Sequence, residues 1–156
     1  QGLDYLPEPY QQEFIKNGAK DEETFWKELF AYSEKNKTII VLAAGNDNML
    51  TGFDPLQRAE NTIKVGAVDE HNRKSKFSNY GTLTTLYAQG ENIKVASTGN
   101  QTEITQGTSF AAPIVTAFVV ALKSKYPQFS SSQIIAELKK NTIYQQQLAV
   151  LYNKTF

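Results

Sequence analysis

Two long apolar runs set the element order of this chain. Ile39-Ile40-Val41-Leu42-Ala43-Ala44 is continuous and partly β-branched, and it ends in Gly45-Asn46-Asp47-Asn48. A half-exposed strand would alternate, so this run predicts a strand over 38–44 buried on both faces, as in parallel sheets. Residues 62–68 predict a second such strand. Shorter pieces at 84–88, 93–97 and 103–105, separated by glycines, predict further β-structure. The other run, Phe110 to Leu122, is broken only by Pro113 and Thr116. It predicts a buried helix over 109–125 that stops before Pro127. Pro113 is expected in its first turn, where a missing N–H has no intrahelical partner to lose.

Two amphipathic patterns add helices. Asp21-Glu22-Glu23 favours a helix start, and Phe25, Trp26, Leu29, Phe30 and Tyr32 then form an apolar face over 21–35. That aromatic face is expected to be core packing. Ser130 and Gln133 stand three apart before Ile134, Ile135 and Leu138, the signature of a capping box. Residues 1–21 read as a polar lead-in, and residues 142–156 carry no motif. Helices interleaved with buried parallel runs make the fold class α/β.

Composition narrows this little. The 156 residues are 40% hydrophobic, enough for one domain, and 16 basic residues balance 16 acidic ones. Neither nucleic acid nor a membrane surface is suggested by that balance. Without cysteine there are no disulfides or zinc–thiolate sites. No membrane span and no signal-peptide pattern is visible, and the chain does not begin with methionine, as a processed or truncated product would not.

The candidate chemistry lies in Gly107-Thr108-Ser109-Phe110-Ala111-Ala112-Pro113. It places Ser109 where a loop becomes a helix, so that free N–H groups and the helix dipole favour negative charge near its oxygen. Alone, a serine there reads as well or better as an N-cap. Asn46 follows the first strand, at the end where open α/β sheets bind ligands, and its amide could donate to an oxyanion. Alone, Gly45-Asn46-Asp47-Asn48 reads as a turn.

Together the two segments resemble the subtilisin-like serine proteases. Gly107, Thr108, Ser109, Ala111 and Pro113 match the nucleophile motif of that family, and Ala43 to Asn46 match its Ala-Ala-Gly-Asn segment. Val65-Gly66-Ala67-Val68-Asp69 and Phe77-Ser78-Asn79-Tyr80-Gly81 follow in the family's order, and the likeness runs from roughly residue 23 to residue 142. The resemblance implies a three-layer subtilisin-like fold, with Ser109 as acyl-forming nucleophile. The Asn46 side chain and the Ser109 N–H would form the oxyanion hole. Ala43, Ala44 and Gly45 would line the primary specificity pocket against a polypeptide substrate, with Thr108 in support. Phe110 stands where the family usually has methionine, which unsettles any transfer of substrate preference. A secreted or cell-envelope location is also implied.

The family's triad runs Asp, His, Ser, so the serine's partners should precede Asn46. The only histidine, His71, follows it, in the charged connection Asp69-Glu70-His71-Asn72-Arg73-Lys74, and is expected to be solvated. Asp4 and Asp21 lie upstream, but neither ends a strand-like run. The chain therefore reads as the C-terminal portion of a peptidase domain, inactive alone. An upstream half in the same protein, or an associated chain, is expected to complete it, because a truncated parallel sheet exposes an unpaired edge. The alternative is a non-catalytic relative serving as a binding or structural domain. A nucleotide-binding module is disfavoured by the lack of a phosphate-loop pattern. Asp47, Asp54 and Asp69 lack metal-ligand spacing, so neither a metal nor another cofactor is expected.

Overall fold

A computed structural model describes residues 6–145 and 147–151. Its main sheet has the order β1 (Ile40–Ala43), β2 (Thr62–Val68), β3 (Leu86–Gln89), β7 (Leu148–Leu151), β6 (Thr142–Gln145). β1, β2, β3 and β7 run parallel, and β6 returns antiparallel beside β7. β4 (Ile93–Ser97) and β5 (Gln101–Thr105) form a separate antiparallel hairpin. The helices are α1 (Glu8–Asn17), α2 (Lys20–Lys35), α3 (Thr108–Lys125) and α4 (Ser131–Lys140). A 3-10 turn, Pro55–Arg58, precedes β2.

The core forms where the period-2 apolar residues of the central strands meet α3 and α4. Ile63, Val65 and Ala67 of β2 and Leu86 and Ala88 of β3 pack against Ala111, Val115, Val119 and Leu122 of α3 and Ile134 and Leu138 of α4. Val68, Tyr87 and Val150 form a second, smaller cluster. β2 is buried along its whole length, as a central parallel strand should be. α4 starts with the predicted reciprocal box: Ser130 Oγ accepts from Gln133 N, and Ser130 N donates to Gln133 Oε1.

Several expectations are corrected. The segment read as a polar lead-in contains α1, held in place by a long-range contact. Gln11 is buried, donating from Nε2 to Leu6 O at 2.7 Å and accepting from Leu50 N at 2.7 Å. The aromatic face of α2 is not core: only Phe30 is buried, and Phe25, Leu29 and Tyr32 are exposed. α2 instead rests on the 3-10 turn through Arg58, whose Nη1 reaches Glu23 at 2.9 Å. β1 is only partly buried, because no strand lies on its outer side among the described residues. Residues 142–151, which carry no motif, supply β6 and β7; residues 1–5, 146 and 152–156, parts of the two terminal segments read from sequence, lie outside the described residues.

α3 differs from the predicted buried helix in two ways. Pro113 sits in the second turn rather than the first, so the Ser109 carbonyl receives no amide from that position. One face is also open: Ser109, Pro113, Thr116, Ala117 and Val120 are exposed along a helical stripe, Val120 at 60%. A helix apolar on all sides is ordinarily covered on all sides.

Candidate active site

The site assembles at the carboxyl ends of β1 and β3, where backbone groups are free to meet a ligand. Gly107 leads into α3, and its N–H donates to Gly90 O at 2.8 Å, just past the end of β3. The side chain of Ser109 does not cap this helix. Gly107 occupies the cap position, and the acceptor comes from across the sheet: Asn46 Oδ1 accepts from Thr108 N at 2.8 Å and from Thr108 Oγ1 at 2.9 Å. The N-cap reading of the serine is therefore replaced by a tertiary cap. Ser109, second in the helix, is left exposed with its hydroxyl uncommitted to capping.

This cap fixes the orientation of the Asn46 amide. Two donors identify the capped atom as oxygen, so Nδ2 must point the other way. It lies beside Gly107. A Cβ placed on Gly107 would lie 3.1 Å from Ser109 Oγ and 3.7 Å from Asn46 Nδ2. The hydroxyl and the amide donor thus border one small space, which glycine keeps open. Gly107 has φ +149°, and Phe110 Cδ2 stands 3.5 Å from the same point.

The loop carrying Asn46 is held from beneath by a side chain to which the sequence reading gave no role. Asn79 is buried; its Nδ2 donates to Ala44 O at 3.0 Å, and its Oδ1 accepts from Asp47 N at 3.0 Å and Met49 N at 3.1 Å. Its backbone N–H adds a bond to Gly45 O at 3.0 Å. A Cβ on Gly45 would come within 2.3 Å of Asn79 Nδ2, and φ there is +109°, so only glycine passes this point without strain. Gly45 N also donates to Thr108 Oγ1 at 3.2 Å. Lys74 closes the other side, donating to Asn48 Oδ1 at 2.9 Å and to the carbonyls of Ser75 and Ser78. Burial lowers the pKa of that lysine. Such contacts join residues some 30 positions apart, and nothing in the local pattern at Asn79 announces them.

His71 stands apart from this cluster. It is exposed, 3.6 Å from Glu70, and its carbonyl accepts from Gln145. The loop around it is organised by Asp69, whose carboxylate accepts from the backbone of Arg73 and His71 and pairs with the Arg73 guanidinium at 2.8 Å. These bonds, the Arg73 amide foremost, lower the Asp69 pKa. Asp47 and Asp54 are exposed, and among the described residues no group of three His, Cys, Asp or Glu is placed to hold a metal ion.

Sequence and fold comparison identify the family and the fold of the chain, not its site residues. The chain belongs to the Subtilase family, whose profile matches residues 12–153. A thermophilic serine proteinase of Bacillus sp. (strain AK1) is 40% identical over 94 residues, which are 60% of this chain and 23% of that protein. Subtilisin BL of Lederbergia lenta is 31% identical over 107 residues, 69% of this chain and 40% of that protein. The chain thus spans less than half the length of these relatives. In fold it is similar to a cold adapted subtilisin-like serine proteinase (TM-score 0.73, 23% identity, 81% of this chain and 49% of that one). It is also similar to the self-cleaved protease domain of PatA (TM-score 0.69, 27% identity, 81% and 51%).

Proposed function

We propose that this chain is the nucleophile-bearing portion of a subtilisin-type serine endopeptidase. The observation that carries the reading is the convergence of Ser109 Oγ and Asn46 Nδ2 on the space beside Gly107. A scissile carbonyl carbon there would be within reach of the hydroxyl, with its oxygen toward the amide. Ser109 Oγ adds to the carbonyl, and a histidine from the upstream part takes the hydroxyl proton. The oxyanion forms against Asn46 Nδ2 and the Ser109 N–H, a first-turn amide without an intrahelical acceptor. Collapse breaks the C–N bond, the amine leaves with the proton, and water then hydrolyses the acyl-enzyme. Ala43, Ala44 and Gly45 would flank the substrate residue that supplies the acyl group, since their small side chains leave room beside β1.

The upstream part is proposed from two open surfaces. The outer side of β1 has no partner strand among the described residues, and the exposed stripe of α3 carries apolar Pro113, Ala117 and Val120. An aspartate and a histidine carried on a segment that covers both would complete the triad.

A fluorophosphonate probe applied to this chain together with its upstream segment tests the reading. Labelling that Ser109→Ala abolishes is expected. A folded assembly that never labels would overturn the peptidase reading and leave a binding or structural domain.

A further inference from the structure

The loop that carries Asn46 makes a left-handed step two residues on. Asn48 has φ +51°, a region that costs most side chains and that asparagine enters more readily. Such a conformation persists where its surroundings hold it from several sides. Its backbone is held by Phe77 O, which accepts from Asn48 N at 2.8 Å, and by Asn79 Oδ1, which accepts from Asp47 N and Met49 N on either side. Its side chain is held by a cation: Asn48 Oδ1 accepts from Lys74 Nζ at 2.9 Å.

Lys74 makes this bond from an ammonium with no donor to spare. Its other acceptors are Ser75 O at 3.0 Å and Ser78 O at 2.9 Å, so three donors meet three oxygens. None of these is a carboxylate, and Asp69, which lines the same cavity, is bound to Arg73. A surface lysine ordinarily keeps its head in water. That of Lys74 is half-buried, with Nζ 5.3 Å from the centre of the Tyr80 ring. The turn that accepts it is itself fixed to β2: Ser75 N donates to Ala67 O at 3.0 Å, and Ala67 N to Ser78 Oγ at 2.8 Å. Lys74 therefore ties Asn48 to a strand buried along its whole length.

Two restraints thus act on Asn46. The Thr108 cap sets which way its amide turns, and the anchorage of Asn48 sets where the loop puts it. An oxyanion donor acts only within hydrogen-bond reach of the developing charge, and a misplacement of about 1 Å is costly. We propose that Lys74 is a positioning residue for the hydrolysis: its ammonium, through Asn48 Oδ1, keeps Asn46 Nδ2 at the space beside Gly107. The inference rests on the peptidase reading of Ser109 and Asn46. A charged donor suits the task, because its hydrogen bonds are stronger than neutral ones.

The test uses the assembled protease, this chain with its upstream segment, in a preparation whose Ser109 labels with a fluorophosphonate. kcat and KM for one peptide are measured in the parent, Lys74→Met, Asn46→Leu and the double variant. Lys74→Met, similar in length but unable to donate, should lower kcat about tenfold and leave KM within about twofold. In the Asn46→Leu background the same substitution should change kcat by less than about twofold, because the donor it positions is already gone. A general loosening of the fold would cost the same in both backgrounds, and that result would overturn the proposal. So would an unchanged kcat in a folded Lys74→Met, or a loss taken in KM. If Lys74→Met does not fold, Asn48→Gly replaces it: glycine accepts a φ of +51° and only the acceptor is deleted, and the same outcomes decide. All of these leave the peptidase reading standing, whereas a parent that never labels would overturn both.

Discussion

Asn46 Oδ1 takes both polar hydrogens of Thr108, its backbone N–H at 2.8 Å and its hydroxyl at 2.9 Å, and Asn46 Nδ2 borders, with Ser109 Oγ, the space beside Gly107. Asn46→Leu removes Nδ2 together with the oxygen that caps Thr108, and should lower kcat of the assembled protease by at least about 10²–10³-fold, the magnitude established for one such donor in subtilisin. Thr108→Val should cost less, about tenfold, because the amide loses one of its two anchors. Thr108→Ser should restore the rate. Steady-state kinetics on one peptide substrate decide among the three.

Gly107 and Gly45 fail differently when given a side chain. At Gly107 an added Cβ projects into the space shared by Ser109 Oγ and Asn46 Nδ2. Gly107→Ala is expected to suppress fluorophosphonate labelling more than its melting temperature. At Gly45 the Cβ meets a buried Asn79, and the clip holding residues 44–49 must break. Gly45→Ala should destabilise the fold by about 2 kcal/mol or more, read by denaturant titration.

Acid should unfold the α2 contact through Glu23. Hydrogen bonds from Lys27, Lys20 and Arg58 hold its carboxyl at about 2, against an ordinary 4.5. The depressed value means the unfolded state binds the proton more readily. The stabilisation is therefore complete above about pH 4.5 and is lost as pH falls toward 2. Glu23→Gln leaves the buried Arg58 without its counter-charge and should cost about 3 kcal/mol at neutral pH. It should also flatten the acid limb, measured as stability against pH.

Lys64 predicts a slope of the same sign at the alkaline end. It is buried in β2 on carbonyls alone, and burial brings its pKa from 10.5 to about 8. Between those values the unfolded chain binds more protons than the folded one, so this residue makes stability rise with pH there. Lys64→Met should raise stability at pH 7 by on the order of 1–2 kcal/mol and abolish the rise. A variant less stable than the parent at pH 7 would show that the Nζ bonds outweigh the desolvation.

The exposed stripe of α3 predicts an interface. Val120 is 60% exposed, so Val120→Glu should leave this chain's own packing unchanged. If the stripe docks the upstream segment, the same substitution should weaken that association at least about tenfold by burying a carboxylate. Titration of the two pieces by calorimetry measures it.

The elements legible in the sequence are those whose signals are local. β2 needs only its apolar run, and α4 only a serine and a glutamine three apart. The residues brought together at the site, Ser109 and Asn46, were also legible, through two motifs rather than through periodicity. What escaped depends on distant partners. α1 is mostly polar and is held by distant partners, Gln11 on Leu50, 39 residues away, and Phe14 stacked on Phe53. The α2 aromatics satisfy a helical period without saying which way the helix faces. Asn79 looks like any turn asparagine until its three backbone partners are located.

Ser109 heads the same exposed stripe of α3 that runs through Pro113, Thr116 and Val120. Any body that shields those side chains from water must also roof the hydroxyl. Shelter for the oily ridge and a ceiling over the reactive oxygen would arrive in a single docking event, so a polypeptide caught half-made would have neither.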